Sequence, residues 1–286
     1  MNQTKLKLFI FILLALNVYL WFFVSSSGRE TFSGFYFLDV GQGDSEMVVL
    51  SDGAKILTDA GPNFEVVYEI QKILGISENY IDLGIITHAQ ADHYGGFLDL
   101  IKRYSFGAVL WNGVEPVGSG SWQELKSNLA EGNIPLIVTG AGTVISQGKD
   151  KIKILLPDEK LILSKDSNES GIVQKIESGG RTALFAADIG KKTAGYLVSL
   201  YGEELKADIL KVPHHGSKAS VNPVFISAVD PSISVIEVGL KNRYGHPTKE
   251  MLAALESVFS KILRTDLNGS VFLQPLDDGF NLSTNF

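Results

Sequence analysis

The chain contains no cysteine. That excludes a disulfide framework, a thiolate zinc site, an iron–sulfur cluster, a lipoprotein signal and a cysteine nucleophile, so any metal must be held by nitrogen and oxygen donors. Excess positive charge is also missing: 25 Lys and Arg stand against 32 Asp and Glu, a net charge of −7 with a pI near 5.3. Proteins that coat nucleic acid regardless of sequence do so by neutralising phosphates with Lys and Arg. Broad electrostatic binding is therefore excluded, and only a local basic patch remains open. No low-complexity linker or internal repeat divides the sequence. With 286 residues, 45% of them hydrophobic and 20% charged, the chain is neither disordered nor fibrous, and one large domain with its own core is expected.

Long apolar runs are scarce, with a single exception. Residues Leu8 to Val24 are interrupted only by Asn17, follow Lys5 and Lys7, and precede Ser25, Ser26, Ser27 and Gly28. Such a run lies at the short end of what spans a bilayer. The bulky Tyr19, Trp21, Phe22 and Phe23 make a poor approach to a small-residue cleavage site. A retained signal anchor is expected ahead of a cleaved peptide that would release a secreted domain, and the preceding lysines place the rest of the chain outside the cytoplasm. The expected organisation is residues 1–29 as a single-pass membrane segment and residues 30–286 as one catalytic-sized domain.

Downstream, short β-rich runs alternate with amphipathic helical ones. Strands are expected at Phe35–Val40, Glu46–Leu50 and Lys55–Thr58, around turns at Gly41–Asp44 and Asp59–Gly61. Asn63 marks the start of a helix whose apolar face is Val66, Val67, Ile70, Ile73 and Leu74, stopped by Gly75. Strand Leu83–Thr87 runs straight into His88. Further strands are expected at 108–111, 136–139, 151–156, 172–177, 182–187, 208–212 and 234–238, and helices at 96–104, 122–130, 194–200 and 248–259. The mixed order implies sheets covered by helices, a layered α/β body.

All five histidines fall in three short segments at the ends of these strands: THAQADHYGG from Thr87, KVPHHGS from Lys211, and NRYGHP from Asn242. Imidazole and carboxylate on a tight turn converge on one cation when the backbone curls. His214 and His215 are adjacent and cannot both face one way on an extended chain, so one is expected to bind metal and the other to meet substrate or a supporting group. Loops at strand ends are where α/β layers form sites.

Six ordered motifs carry a resemblance: FLDVGQGDS (37–45), TDAG (58–61), the segment at His88, AADI (186–189), LKVPHHGS (210–217) and NRYGHP (242–247). Together they resemble the metallo-β-lactamase-fold hydrolase domain of the ComEC-type DNA-internalisation competence proteins. RTDLNGSV (264–271) resembles that family's closing strand pair. The resemblance runs from about residue 34 almost to the C-terminus. It lacks the family's channel region, so a stand-alone relative with one apolar segment is expected.

The resemblance implies an αββα sandwich with a metal site along the sheet edge. It assigns His88, Asp92, His93, Asp188 and His214 as metal ligands, with Asp188 bridging two divalent cations, zinc or manganese. Asp59 matches the acid that holds a ligand histidine through its other ring nitrogen. His215, Ser217, Asn242, Tyr244 and His246 are expected to face substrate, as are Asn168 and Ser170, which with Ser167 match an Asn-Asn-x-Ser stretch in part. Gln90 is a departure, standing where relatives carry His or Asp. An amide oxygen is a neutral, poorer ligand, so Gln90 ligates weakly, yields to water, or leaves a one-cation or inactive site.

The implied activity is metal-dependent phosphodiester hydrolysis, with water activated between the cations, Asp92 at the reacting centre, and His215 or His246 protonating the leaving oxygen. Nucleic acid or another phosphodiester is the expected substrate, drawn by a local field from Lys211, Lys218, Lys241 and Arg243. The membrane is a partner through the N-terminal segment, and no protein partner follows from the sequence. The alternatives are ester or thioester hydrolysis on the same fold, and a non-catalytic module binding phosphate or nucleic acid.

Overall fold

In this computed structural model, residues 3–26, 31–164 and 166–285 are described. The expected boundary at residues 29 and 30 lies outside them. Helix α1 (Gln3–Ser26) is about 36 Å long at 1.5 Å per residue, against roughly 30 Å of bilayer hydrocarbon. Its span Gln3–Trp21 is long and apolar enough to cross a membrane, and none of it is buried.

The remainder is built on two sheets. Strands β1 (Gly34–Phe37), β2 (Glu46–Val49), β3 (Lys55–Thr58), β4 (Tyr80–Ile86), β5 (Ser105–Trp111) and β6 (Leu136–Val138) form most of the first. The second holds β7 (Val144–Gln147), β8 (Asp150–Leu156), β9 (Val173–Ser178), β10 (Arg181–Phe185), β11 (Ile209–Lys211), β12 (Ile233–Ile236) and β13 (Lys261–Arg264). The chain then returns to the first sheet as the hairpin β14 (Val271–Leu276) and β15 (Gly279–Thr284), giving the orders 15-14-1-2-3-4-5-6 and 13-12-11-10-9-8-7. Strands β3 to β6 run parallel, as do β10 to β13.

Side-chain alternation sorts each strand between two apolar layers. On β1, Phe35 and Phe37 enter the layer between the sheets, while Tyr36 joins the outer layer; on β2, Val48 points inward and Met47 and Val49 outward. Helices α2 (Glu65–Leu74), α3 (Ala91–Tyr94), α4 (Phe97–Leu100) and α5 (Gly120–Glu131) lie on the first sheet's side, and α6 (Lys191–Tyr201), α7 (Pro223–Val229) and α8 (Lys249–Glu256) on the second's. Val66, Ile70, Phe97 and Trp122 cover one outer face and Leu197, Phe225 and Leu255 the other. The layers are therefore α, β, β, α.

One segment differs from expectation. Residues 264–271 are not a strand pair: β13 ends at Arg264, α9 (Thr265–Asn268) follows, and β14 begins in the other sheet. Asn268 Oδ1 accepts the Arg264 N–H, and the Arg264 guanidinium grips Asp266, which curls the chain where it crosses between sheets.

Asp150 clips the sheets together. Its buried carboxylate accepts bonds from Ser51 N and Oγ on the first sheet's β2–β3 turn and from Ser178 Oγ and Gly179 N on the second. Replacing it leaves buried donors unpaired. Asp150→Ala is expected to cost about 3 kcal/mol, read as a lowered denaturation midpoint. A loss within experimental error of zero would contradict this role.

Candidate metal centre

The candidate residues gather where parallel strands of both sheets end, the edge at which α/β layers place ligands. Asp59 follows β3, Thr87 and His88 follow β4, Asp92 and His93 ride on α3, Asp188 follows β10, and His214 and His215 follow β11. Tight backbone makes this convergence possible. Asp59, Ala187, His214 and His215 all have positive φ, between 46° and 53°, a conformation sparsely populated by non-glycine residues. Gly96 lets α3 and its loop press against the Asp59 turn, because a Cβ there would fall 2.1 Å from the Ala60 carbonyl oxygen.

The hydrogen bonds fix the tautomer of three histidines. Asp59 accepts from Thr87 N (2.8 Å), Thr87 Oγ1 (2.7 Å) and His93 Nδ1 (2.7 Å). Because the Thr87 hydroxyl spends its only proton on Asp59, it faces His88 Nδ1 (2.9 Å) as an acceptor. His215 Nδ1 meets the Glu237 carbonyl oxygen at 2.9 Å. Each ring thus commits the proton on Nδ1 and leaves Nε2 with a lone pair.

Those three Nε2 atoms and Asp188 Oδ1 are buried without a hydrogen-bond partner. Orphaned buried polar atoms are costly, and several in one place call for an ion. The spacing agrees: two donors about 2.1 Å from one tetrahedral ion lie about 3.4 Å apart. Asp188 Oδ2 is 3.4 Å from His93 Nε2 and 3.6 Å from His215 Nε2, and Asp92 Oδ2 is 3.7 Å from His215 Nε2. His88, His93 and Asp188 form one set of mutually close donors, and Asp92, His93 and His215 another.

Electrostatics point the same way. Burial works to raise the Asp188 carboxyl, but His215 and His93 outweigh it and hold the group well below the usual carboxylate range. Burial likewise opposes ionisation of Asp92, which the His215 hydrogen bond and the His93 charge bring to about 2. Burial pushes His88 down to about 4, helped by His93. For His93, burial is overcome by Asp188 and Asp59, which lift it well above the ordinary imidazole value. A pocket that draws a proton this strongly draws a divalent cation for the same reason.

The remaining expected residues are distributed unevenly. His214, expected as a ligand, is part-exposed, with Nε2 3.9 Å from Asp188, and among the described residues it joins neither set. His215, expected to face substrate, is buried inside the cluster. The successive left-handed residues exchange the two side chains relative to that expectation. His246 sits beside His214, with ring centroids 5.9 Å apart, and stacks on exposed Tyr244. Asn242 braces its own loop, donating to the His246 carbonyl and accepting from the N–H groups of Tyr244 and His246. Ser217 caps the next turn by accepting from Ala219 N.

The expected surface field is smaller than the sequence implies. Lys211 is fully buried and bonded to Asp44 and the Ala187 carbonyl, because its strand is covered on both faces. Exposed Lys218 is paired with Glu250 at 2.6 Å. Lys241 and Arg243 remain exposed at the rim. Gln90 donates to Ser167 Oγ at 2.6 Å and to Asn168 Oδ1. Ser170 is tied to Asn112 and the Ser167 carbonyl.

Sequence reasoning missed Thr87, the relay to His88, and undervalued Asp44, whose Oδ1 lies 3.1 Å from His215 Nδ1. It also missed the buried pair Glu46 and Glu237. Burial and the Glu237 charge raise Glu46 well above normal, and burial raises Glu237 to about 7 against a lowering hydrogen bond from Glu46. The available signal was a carboxylate inside an apolar run, Ile236-Glu237-Val238.

Asp59→Asn removes the charge that orients His93. Competition with a fluorescent chelator is expected to show metal affinity reduced about 10–100-fold in a chain that still folds. Unchanged affinity would contradict the role given to Asp59.

The metallo-beta-lactamase superfamily pattern matches residues 38–237. ComE operon protein 3 of Bacillus subtilis (strain 168) is 29% identical over 256 residues, covering 82% of this chain and 32% of its own length. Competence protein ComA of Neisseria gonorrhoeae is 30% identical over 191 residues, covering 67% and 25%. The chain thus spans a third or less of these curated relatives. Among solved structures, the metallo-beta-lactamase fold protein YhfI from Bacillus subtilis superposes with a TM-score of 0.53 at 10% identity, covering 81% of this chain and 96% of that one. Zn(2+)-bound PqqB from Methylobacterium extorquens gives 0.51 at 13% identity, covering 78% and 85%. The four-layer fold, the convergent donors and the pattern match place this chain in the metallo-beta-lactamase superfamily, and part of each of these two curated proteins is similar to it.

Proposed function

We propose that the chain is a metal-dependent phosphodiesterase acting on nucleic acid or a similar phosphodiester, anchored by α1 with its domain outside the cytoplasm. The carrying observation is the convergence of three bare, buried Nε2 atoms on Asp188. Asp92, His93 and His215 would hold one divalent cation together with Asp188, and His88 with Asp188 a second, weaker one. The weakness follows from Gln90, whose amide is engaged by Ser167 and Asn168. Zinc or manganese held there supplies Lewis acidity at the scissile bond and activates water near neutral pH.

The chain's own groups do the rest. A cleft of about 640 Å³ opens beside Asp92, walled by Asn63, Gln90, Asn242, Arg243 and Tyr244. Arg243 offers positive charge to a phosphate there, and the Asn242 brace fixes the loop that carries it. With His215 turned into the cluster, His214 and His246 on the rim are the groups placed to protonate a leaving oxygen. The likeness to competence proteins favours nucleic acid over an ester substrate.

The test is hydrolysis of single-stranded DNA and of bis(p-nitrophenyl) phosphate by the full chain in detergent, loaded with manganese or zinc. Turnover is expected, abolished by chelation, and reduced at least about 100-fold by His215→Ala or Asp188→Asn. Turnover of thioesters alone would favour the ester reading. No turnover with fewer than one bound cation per chain would favour a non-catalytic binding module. Gln90→Asp is expected to strengthen binding of the second cation and raise the rate, read by metal titration alongside the assay; a rate that falls would contradict the weak-site reading.

A further inference from the structure

Helix α2 buries one face completely, with Val66, Val67, Ile70, Ile73 and Leu74 in the core. Its outward face is unusual for a helix exposed to water. Phe64, Tyr68 and Lys72 follow one another at intervals of four, which puts them in a stripe on one side, and Ile76 comes just past the Gly75 cap that ends the helix. Phe64 is 61% exposed, Tyr68 60% and Ile76 71%. Lys72 lies over the Tyr68 ring at 4.8 Å, and Arg103 donates to the Ile76 carbonyl at 3.2 Å, so basic groups flank the apolar ones. Of the nearby carboxylates, Glu69 is held by Lys72 and Ser270, and Glu78 faces Lys55, leaving Glu65 as the exposed acid of the helix.

The position of this stripe along the chain identifies what covers it. Helix α1 ends at Ser26, and Thr31 Oγ1 already lies 3.5 Å from the Ile73 carbonyl at the end of α2. Five peptide steps reach at most about 18 Å, so with the Thr31 side chain and its 3.5 Å contact added the C-terminal end of α2 stays within about 24 Å of the end of α1. Phe32, the residue after Thr31, is itself 51% exposed. Aromatic and basic side chains together suit the headgroup layer, where rings take an amphipathic position and Lys and Arg meet anionic lipid.

We infer that the outer face of α2, with Phe32, Phe64, Tyr68 and Ile76, rests on the lipid surface beside the anchor. This rests on the reading of α1 as a membrane anchor. It fixes the domain's orientation, because Asn63 and Glu65, the neighbours of Phe64, wall the cleft beside Asp92. The cleft mouth therefore opens along the membrane surface, and substrate reaches it from the side.

A chain without cysteine allows a direct test. Single variants Tyr68→Cys, Ile76→Cys and Val224→Cys, the last exposed on α7 in the opposite helical layer, are made in the full chain, spin-labelled and reconstituted into vesicles of phosphatidylethanolamine and phosphatidylglycerol. Collisional relaxation by oxygen, which concentrates in lipid, is compared with relaxation by a water-soluble nickel chelate. The labels at 68 and 76 are expected to give an oxygen-to-nickel ratio several-fold above that at 224. Equal ratios at all three positions in vesicle-bound chain would overturn the inference and leave the anchor standing. Failure of the chain to float with vesicles would overturn both.

Discussion

Asp59 is the group on which the geometry of the centre depends. One carboxylate accepts three hydrogen bonds, and through them it sets two of the three imidazoles: His93 directly, and His88 by way of the Thr87 hydroxyl. A histidine offers a lone pair to a cation only from the nitrogen that lacks the proton, so holding Nδ1 is what turns Nε2 into a donor. The second sheet reaches the same result by a different route, using the backbone carbonyl of Glu237 for His215. The donors therefore come from both sheets, and the layer of apolar side chains between the sheets sets their separation.

That arrangement concentrates strain on one rim. Four non-glycine residues there adopt left-handed backbone, each costing on the order of 1–3 kcal/mol, and the ionisable side chains of Asp44, Glu46, Lys211 and Glu237 are buried alongside them. Three closely packed apolar layers hold these groups in place. The Asp44–Lys211 pair also joins the first glycine turn to the strand that delivers His215. A sequence motif that reads as a turn is, in three dimensions, a strut of the centre.

Much of the fold was legible because strand alternation and helical spacing are local properties. Lys55–Thr58 and the apolar face of α2 stand where their patterns put them. Helix α7 went unread although Asn222 caps it and Pro223 occupies its first turn, a signature of helix starts; its seven residues are too few to display a period. His88, Asp92 and His93 were legible as imidazole and carboxylate gathered on one turn at a strand end, whereas Asp188 was assigned by the family resemblance alone. The placement of the His214 and His215 rings was not legible, because two successive left-handed residues decide which ring turns inward, and no pattern in His-His-Gly announces that. Lys211 looked like a surface cation because its partner Asp44 is 167 residues away.

Two segments distant in sequence meet beside the centre. Gln90 donates to Ser167 and Asn168. An amide bonded to a hydroxyl and another amide is a neutral, self-satisfied contact. Two sets of mutually close donors stand side by side, His88 with His93 and Asp188, and Asp92 with His93 and His215, and His93 is common to both.

The account stands on imidazole nitrogens sharing a cation, and zinc X-ray absorption on the loaded chain observes that directly. It should return an oxygen and nitrogen shell at about 2.0–2.2 Å with the outer-shell scattering of at least two imidazoles, weakened when His215 is replaced by alanine. Bound zinc with an oxygen-only shell and no imidazole scattering would contradict it.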